Sequence, residues 1–168
     1  MSGNSHKIAE VKRILAPVGV DIIAVPQKIQ ELQTEDVHAL VKDKLIKAFG
    51  SIGLPAGLPA GLTQIFWDQL KAERFASLVA GLGDAKVTAR TVLGYCDGHK
   101  MHLFEGAIEG TVPTMPSGPT DFEWDCVFIP NGFNQTFAEM GPAKDEISMR
   151  RIALDKFADH LKTSKGAK

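Results

Sequence analysis

The sequence predicts an α/β domain with a mixed sheet, and three observations carry that expectation. Segments with apolar residues at helical spacing are interleaved with short strand-like segments, one long stretch alternates on both sides of Asp97-Gly98, and an amphipathic segment closes the chain. With 168 residues, 44% of them hydrophobic, the chain can bury one substantial core. A single domain over residues 1–162 follows, with the basic "TSKGAK" at 163–168 expected to fray.

In chain order, "SHKIAEVKRIL" puts Ile8, Val11, Ile14 and Leu15 on one helical face, and Pro17 stops it. "VDIIAVP" reads as a short buried strand. "TEDVHALVKDKLIKAFG" repeats the helical spacing through Val37, Leu40, Val41, Leu45 and Phe49, with Thr34 as N-cap and Gly50 as stop. The Gly/Pro-rich "SIGLPAGLPAG" can be neither helix nor central strand. "LTQIFWDQLKAERFASLVAGL" is an amphipathic helix ending near Gly81. The period then becomes two: "KVTARTVLGYCDGHKMHLFEGAIEG" predicts a hairpin turning at Asp97-Gly98. "WDCVFIP" is a further strand, and "AKDEISMRRIALDKFADHLK" a last helix with Ile147, Ile152, Leu154, Phe157 and Leu161 inward.

Charge narrows the function. Lys and Arg total 19 against 20 Asp and Glu, a formal net charge of -1, so no overall attraction draws the chain to nucleic acid, although a small anion can bind locally. No apolar run approaches the roughly 18–20 residues of a membrane span, and "MSGNSHK" lacks the apolar core of a signal peptide, so a cytoplasmic protein is expected. Cys96 and Cys126 lack CxxC spacing and a Cys/His cluster, which argues against zinc and for reduced structural thiols.

Four stretches could carry chemistry. "FEWDCVFIP" groups Phe122, Trp124 and Asp125: aromatic faces beside a carboxylate suit a flat heterocycle with N–H donors, and an ordinary half-buried strand fits the same letters. "SGNSHK" opens a helix whose free N–H groups, with Lys7, favour phosphate. Glu31 in "KIQELQ" could hold Mg²⁺ through one carboxylate oxygen. "KDEISMRR" sets Lys144, Ser148 and Arg150 around a helix start that again suits phosphate. Capped helices and solvated side chains account equally well for each of the last three alone.

Together and in order, "SGNSHKIAEVKRIL", "KIQELQTEDVHALVKDKLIKAF", "GLPAGLTQIFWD", "LFEGAIEGT" and "FEWDCVFIP…TFAEM…KDEISMRRIAL" resemble the inosine triphosphate pyrophosphatase family over nearly the whole chain. The resemblance implies Mg²⁺-assisted hydrolysis of ITP, dITP or XTP to monophosphate and pyrophosphate by a homodimer. By the family pattern, Phe122 looks like the stacking platform for the purine, Trp124 a pocket wall, and Asp125 a reader of the keto-purine edge. Ser2, Asn4 and Lys7 match the phosphate-holding start, Lys44 a lysine facing the triphosphate, and Glu31 the metal-side carboxylate. Lys144, Ser148 and Arg150 match the motif that grips phosphate and base, with Lys44 and Lys144 the expected catalytic cations.

The chain also departs from that pattern. Where relatives carry a strand of the Val-Glu-Asp-Thr-Gly-Leu type, "KAFGSIGLP" runs straight into "AGLPAGLTQ", so the acidic catalytic pair is absent at its usual place. Met149 stands where the family has His, and Glu123 where it has Gly. Met1 abuts Ser2, so the strand that precedes this motif in the family is expected to be missing. The expectation is therefore an inosine triphosphate pyrophosphatase-like fold short of one or two strands, with a catalytically inactive nucleotide or partner binder as the alternative function.

Overall fold

The computed structural model describes residues 5–24, 34, 36–52, 63–121 and 123–165, with side chains described at 8–24, 34, 36–46, 69–121 and 124–164. Helix α1 spans Ser5–Leu15, and Pro17 carries the chain into a 3-10 turn at Ala16–Val18. The apolar stripe of α1 lands where its spacing directs, with Leu15 buried and Val11 and Ile14 packed beside it. The stretch 20–24 is not a strand: it has no regular structure, and Ile23 is exposed while Val20 and Ile22 lean on the α1 core. A β-branched run becomes a strand only when a neighbouring strand takes up its backbone groups.

Helix α2 (Val37–Ile52) is capped by Asp36, whose Oδ1 accepts the N–H groups of His38 (2.9 Å) and Ala39 (3.1 Å). Thr34, the expected cap, instead accepts the Asp36 N–H at 3.1 Å and shapes the approach to the helix. The helix also runs through Gly50 to Ile52. Helix α3 (Thr63–Gly81) ends as expected but is broken at Lys71, whose φ of 54 lies in the left-handed region. The Gly/Pro segment at 53–62 lies outside the described residues.

Strands β1 (Lys86–Cys96) and β2 (Met101–Thr111) form an antiparallel hairpin in which Cys96 faces Met101, so residues 97–100 make the turn. β2 also pairs with β3, only Ile129–Pro130, giving a described sheet of order β1-β2-β3 that is antiparallel throughout. The expected strand "WDCVFIP" is thus mostly something else. Glu123–Val127 coils into a 3-10 turn, because burying Cys126 and Val127 against α3 while leaving Trp124 beside Phe128 demands a tighter path than an extended chain provides.

Two glycines bring helices onto opposite faces of the hairpin. A Cβ on Gly94 would lie 2.6 Å from both Val41 and Leu45, so α2 can approach β1 closely there. A Cβ on Gly106 would lie 1.9 Å from the Met149 carbonyl oxygen, and that lets the start of α5 (Met149–Lys165) rest directly on β2. Val41, Leu45 and Val92 form the core on the α2 side; Leu93, Ala153, Leu154 and Phe157 form it on the α5 side. The last helix therefore buries Leu154 and Phe157 as its spacing requires, and it extends through Lys165, with the Thr163 and Ser164 hydroxyls donating to the Asp159 and His160 carbonyls.

Candidate functional site

The start of α5 is built by local rules. Residues Gly141–Glu146 form a 3-10 turn opened by Pro142, and the helix begins once Ser148 caps it. Ser148 Oγ accepts the Arg151 N–H and its carbonyl oxygen accepts the Ile152 N–H, both at 3.1 Å. The cap sets Lys144 one turn before the helix and Arg150 in its first turn. Upstream, α4 (Phe137–Met140) is fixed by a capping box. Thr136 N–H donates to Glu139 Oε2 at 2.7 Å, and Glu139 N–H donates back to Thr136 Oγ1 at 3.2 Å. Ser117 adds a 2.6 Å bond to Glu139 Oε1, and that hydroxyl, then the Thr136 N–H, holds the Glu139 carboxyl below its ordinary range.

This frame gathers aromatic rings and charge. Trp124 meets Phe128 edge-on with ring centres 5.2 Å apart and lies 6.1 Å from Phe137, and Met149 packs into the same cluster. Met149 is buried, so the position that holds His in the resembled family is here part of an apolar core. Next to Trp124, the buried Asp125 accepts a hydrogen bond from Lys144 Nζ through Oδ2. The residue that the resemblance makes a reader of the keto-purine edge and a lysine of the motif that grips phosphate and base thus form one ion pair.

A second buried pair joins α1 to the same place. Arg150 Nη1 donates to Oε2 of Glu10, which is only 6% exposed, and the exposed Arg13–Asp145 pair ties the two elements again. Among the described residues, Glu10 Oε1 is buried without a hydrogen-bond partner. Leaving such an acceptor unmatched costs roughly 1–3 kcal/mol, and more for a charged group. Sequence reasoning missed Glu10, although a signal was present: it lies four residues before Ile14, at the edge of the apolar stripe of α1.

Trp124, Asp125, Lys144, Ser148 and Arg150 therefore converge on the start of α5. Lys44 does not join them by element: it is buried on α2, against the opposite face of the hairpin. Ser2, Asn4, Glu31 and Phe122 lie outside the described residues, as does the side chain of Lys7. Among the described residues, no three His, Cys, Asp or Glu side chains cluster to hold a metal ion, and the two buried carboxylates here each face a cation. These residues alone do not fit a Mg²⁺ centre. Among the described residues no helix is long and apolar enough to cross a membrane.

A hairpin-centred sheet with α2 on one face and α5 on the other, and a charged, aromatic-flanked helix start on the α5 side, defines the class: an α/β protein with an antiparallel sheet between flanking helices. The Ham1 family model matches residues 1–160, and the chain belongs to the Ham1 family. It is 33% identical over 171 residues to an inosine triphosphate pyrophosphatase of Yarrowia lipolytica, covering 93% of this chain and 90% of that one. It is 30% identical over 178 residues to a dITP/XTP pyrophosphatase of Methanopyrus kandleri, covering 97% and 95%. The fold is shared with a HAM1 protein of Coxiella burnetii at a TM-score of 0.73, with 23% identity and 96% of each chain covered.

Proposed function

We propose that this chain hydrolyses ITP, dITP and XTP to the corresponding monophosphate and pyrophosphate. The observation that carries this reading is the convergence of Trp124, Asp125, Lys144, Ser148 and Arg150 at one helix start, in a chain that belongs to the Ham1 family and aligns nearly end to end with relatives named for that activity. Water attacks the α-phosphorus, the bond to the bridging oxygen of the β-phosphate breaks, and pyrophosphate leaves. Charge compensation dominates such transfers. Lys7 and Lys144 supply cations, Ser2, Asn4 and Ser148 polar contacts, and Phe122 and Trp124 the faces for the purine. By the family resemblance Glu31 would hold Mg²⁺, which would supply further charge neutralisation for the triphosphate.

The chain acts as a homodimer in this reading, supported by the outer edge of β1, which carries no partner strand among the described residues. Light scattering at twice the mass of the 18.2 kDa chain is the check. Cys96 and Cys126, both buried and not joined in a disulfide, agree with a cytoplasmic location. The direct test is to incubate the protein with ITP, XTP, dITP and ATP plus Mg²⁺ and follow pyrophosphate. Release from the keto-purines and not from ATP supports the hydrolase. Binding of ITP without release supports the second reading, a nucleotide binder without turnover, which the replacement of His by the buried Met149 and the shortened acidic segment favour.

A further inference from the structure

At the turn end of the hairpin, about 16 Å along α5 from Met149, a second group of side chains carries chemistry that the proposed function does not use. Tyr95 and His102 face each other across β1 and β2, and Phe157 and His160 of α5 pack against them. The two imidazoles make the closest ring contact among the described residues, with centres 4.4 Å apart and planes inclined at 44°. Both are half-buried, so the neighbouring rings shield them on one side while an ion can reach them from the other. Nε2 of His102 lies 3.4 Å from Asp97 Oδ2, and Oδ1 of the same carboxylate is held by the N–H groups of His99 and Lys100. The turn thus fixes the carboxylate beside the imidazole. With its proton on Nε2, His102 donates to Asp97 and keeps the Nδ1 lone pair available. Among the described residues, neither ring nitrogen of His160 has a hydrogen-bond partner.

We propose that His102 and His160 bind a divalent transition-metal ion, with Asp97 orienting His102 and water filling the remaining positions. Three features of the group point the same way. A histidine that ligates a metal characteristically donates its other ring N–H to a carboxylate, and that is the relation of His102 to Asp97. Two imidazoles that share an ion at ~2.0–2.1 Å, with an angle of ~90–110° between them, have ring centres roughly 4.4–5.2 Å apart. The observed 4.4 Å is at the tight end, which suits ligands at right angles on Ni²⁺ or Cu²⁺. Packing would be served as well by two further phenylalanines, whereas imidazole adds a nitrogen lone pair that such ions take and that Mg²⁺, an oxygen-seeking ion, does not. The site is therefore distinct in place and in chemistry from the nucleotide site, and it stands whether or not the chain hydrolyses nucleotides. A bound ion would clip the start of β2 to the C-terminal part of α5, and no spacing motif marks it because its two ligands are far apart in the sequence.

The test uses the full chain without an affinity tag, stripped of metal by a chelator and titrated with NiCl₂, with MgCl₂ as the comparison. The imidazole resonances of His102 and His160 should be the first that paramagnetic Ni²⁺ broadens. The thermal midpoint should rise with Ni²⁺ concentration, return when chelator is added and ignore Mg²⁺, because an ion that binds only the folded chain stabilises it by mass action. By calorimetry, His102→Gln and His160→Gln should each weaken Ni²⁺ binding about tenfold or more, and Asp97→Asn, which acts through His102, about tenfold. His99→Ala and His38→Ala should leave the affinity unchanged. If the two histidines serve packing alone, their replacement moves the midpoint of the metal-free protein and leaves the Ni²⁺-dependent rise intact, which overturns the proposal. Broadening that begins at His38 or His99 overturns it too, since the ion would then sit on a lone surface imidazole, and so does the absence of any Ni²⁺ binding. If the glutamine variants do not fold, the order of broadening in the unaltered protein decides.

Discussion

Charge is handled differently around the start of α5 and along the β1–β2 hairpin. At the helix start, Asp125 and Glu10 are almost wholly removed from water and each is matched by a cation from a distant part of the chain, Lys144 and Arg150. Near the hairpin, Glu105 holds Arg90 at 3.3 Å and His38 at 2.8 Å, with all three side chains substantially exposed. Water can replace a lost partner in the second place and cannot in the first. Exposed pairs are therefore worth little, whereas breaking a buried pair strands a charge. The ionic groups that matter to this fold are those gathered at the start of α5.

Lys144→Ala should break that contrast most visibly. The sequence alone presents Lys144 as a surface lysine whose loss affects ligand and not fold, but the structure makes it the counter-ion of a buried carboxylate. A loss of ~3 kcal/mol is expected, lowering the thermal midpoint by roughly 6–12 °C. Asp125→Asn added to Lys144→Ala should return much of that loss, because no charge is then stranded. If calorimetry gives less than ~1 kcal/mol for the single change, the pair is solvated and the distinction fails. Activity of this variant has meaning only at temperatures where it is folded.

Gly106→Ala sharpens the comparison without touching a charge. Its Cβ would enter the space of the Met149 carbonyl, so β2 and the first turn of α5 must separate. A cost of roughly 1–3 kcal/mol is expected from urea titration. Arg150 rides on that turn, so nucleotide affinity should fall along with stability. Unchanged affinity in a destabilised variant would detach the site from the helix start. Arg90→Ala, by contrast, should change stability by less than ~1 kcal/mol, and a larger loss would show that the hairpin charges are more than surface decoration.

What the sequence made legible follows the range of the forces involved. Helical spacing in α1, α2 and α5 and the Asp97-Gly98 turn are local signals, and all four elements form where those signals lie. The cap of α2 was misplaced by two residues, since Thr34 and Asp36 are both good caps and only the backbone path decides between them. The described part of "VDIIAVP", residues 20–24, is not a strand, and of "WDCVFIP" only Ile129–Pro130 is one, because strand formation depends on a partner elsewhere in the chain and at Trp124 to Val127 burial of the turn wins. For the site, motif order located Lys144, Ser148 and Arg150 at one helix start. The Asp125–Lys144 and Glu10–Arg150 pairs were invisible, since they span 19 and 140 residues and arise only when the elements pack.

The smallest effect expected lies at the hairpin turn and is one of pH. Asp97 Oδ1 accepts the N–H groups of Lys100 at 2.7 Å and His99 at 2.8 Å, and these two bonds, in that order, lower its pKa from 3.8 to about 2, with His102 adding to the effect. A carboxyl whose pKa is depressed by folding contributes its full stability above the unfolded value and loses it as pH falls toward the folded one. The turn should therefore loosen between about pH 4 and about pH 2 and be indifferent to pH above that window. The Asp97 carboxyl resonance should titrate near 2, with the His99 and Lys100 amides moving in step. Asp97→Asn keeps an oxygen to accept both N–H groups but removes the proton equilibrium, so its thermal midpoint should fall less than that of the unaltered protein across the same window. If both fall alike, the acid sensitivity belongs to another carboxylate, and the exposed turn would then be as passive as the Arg90 pair.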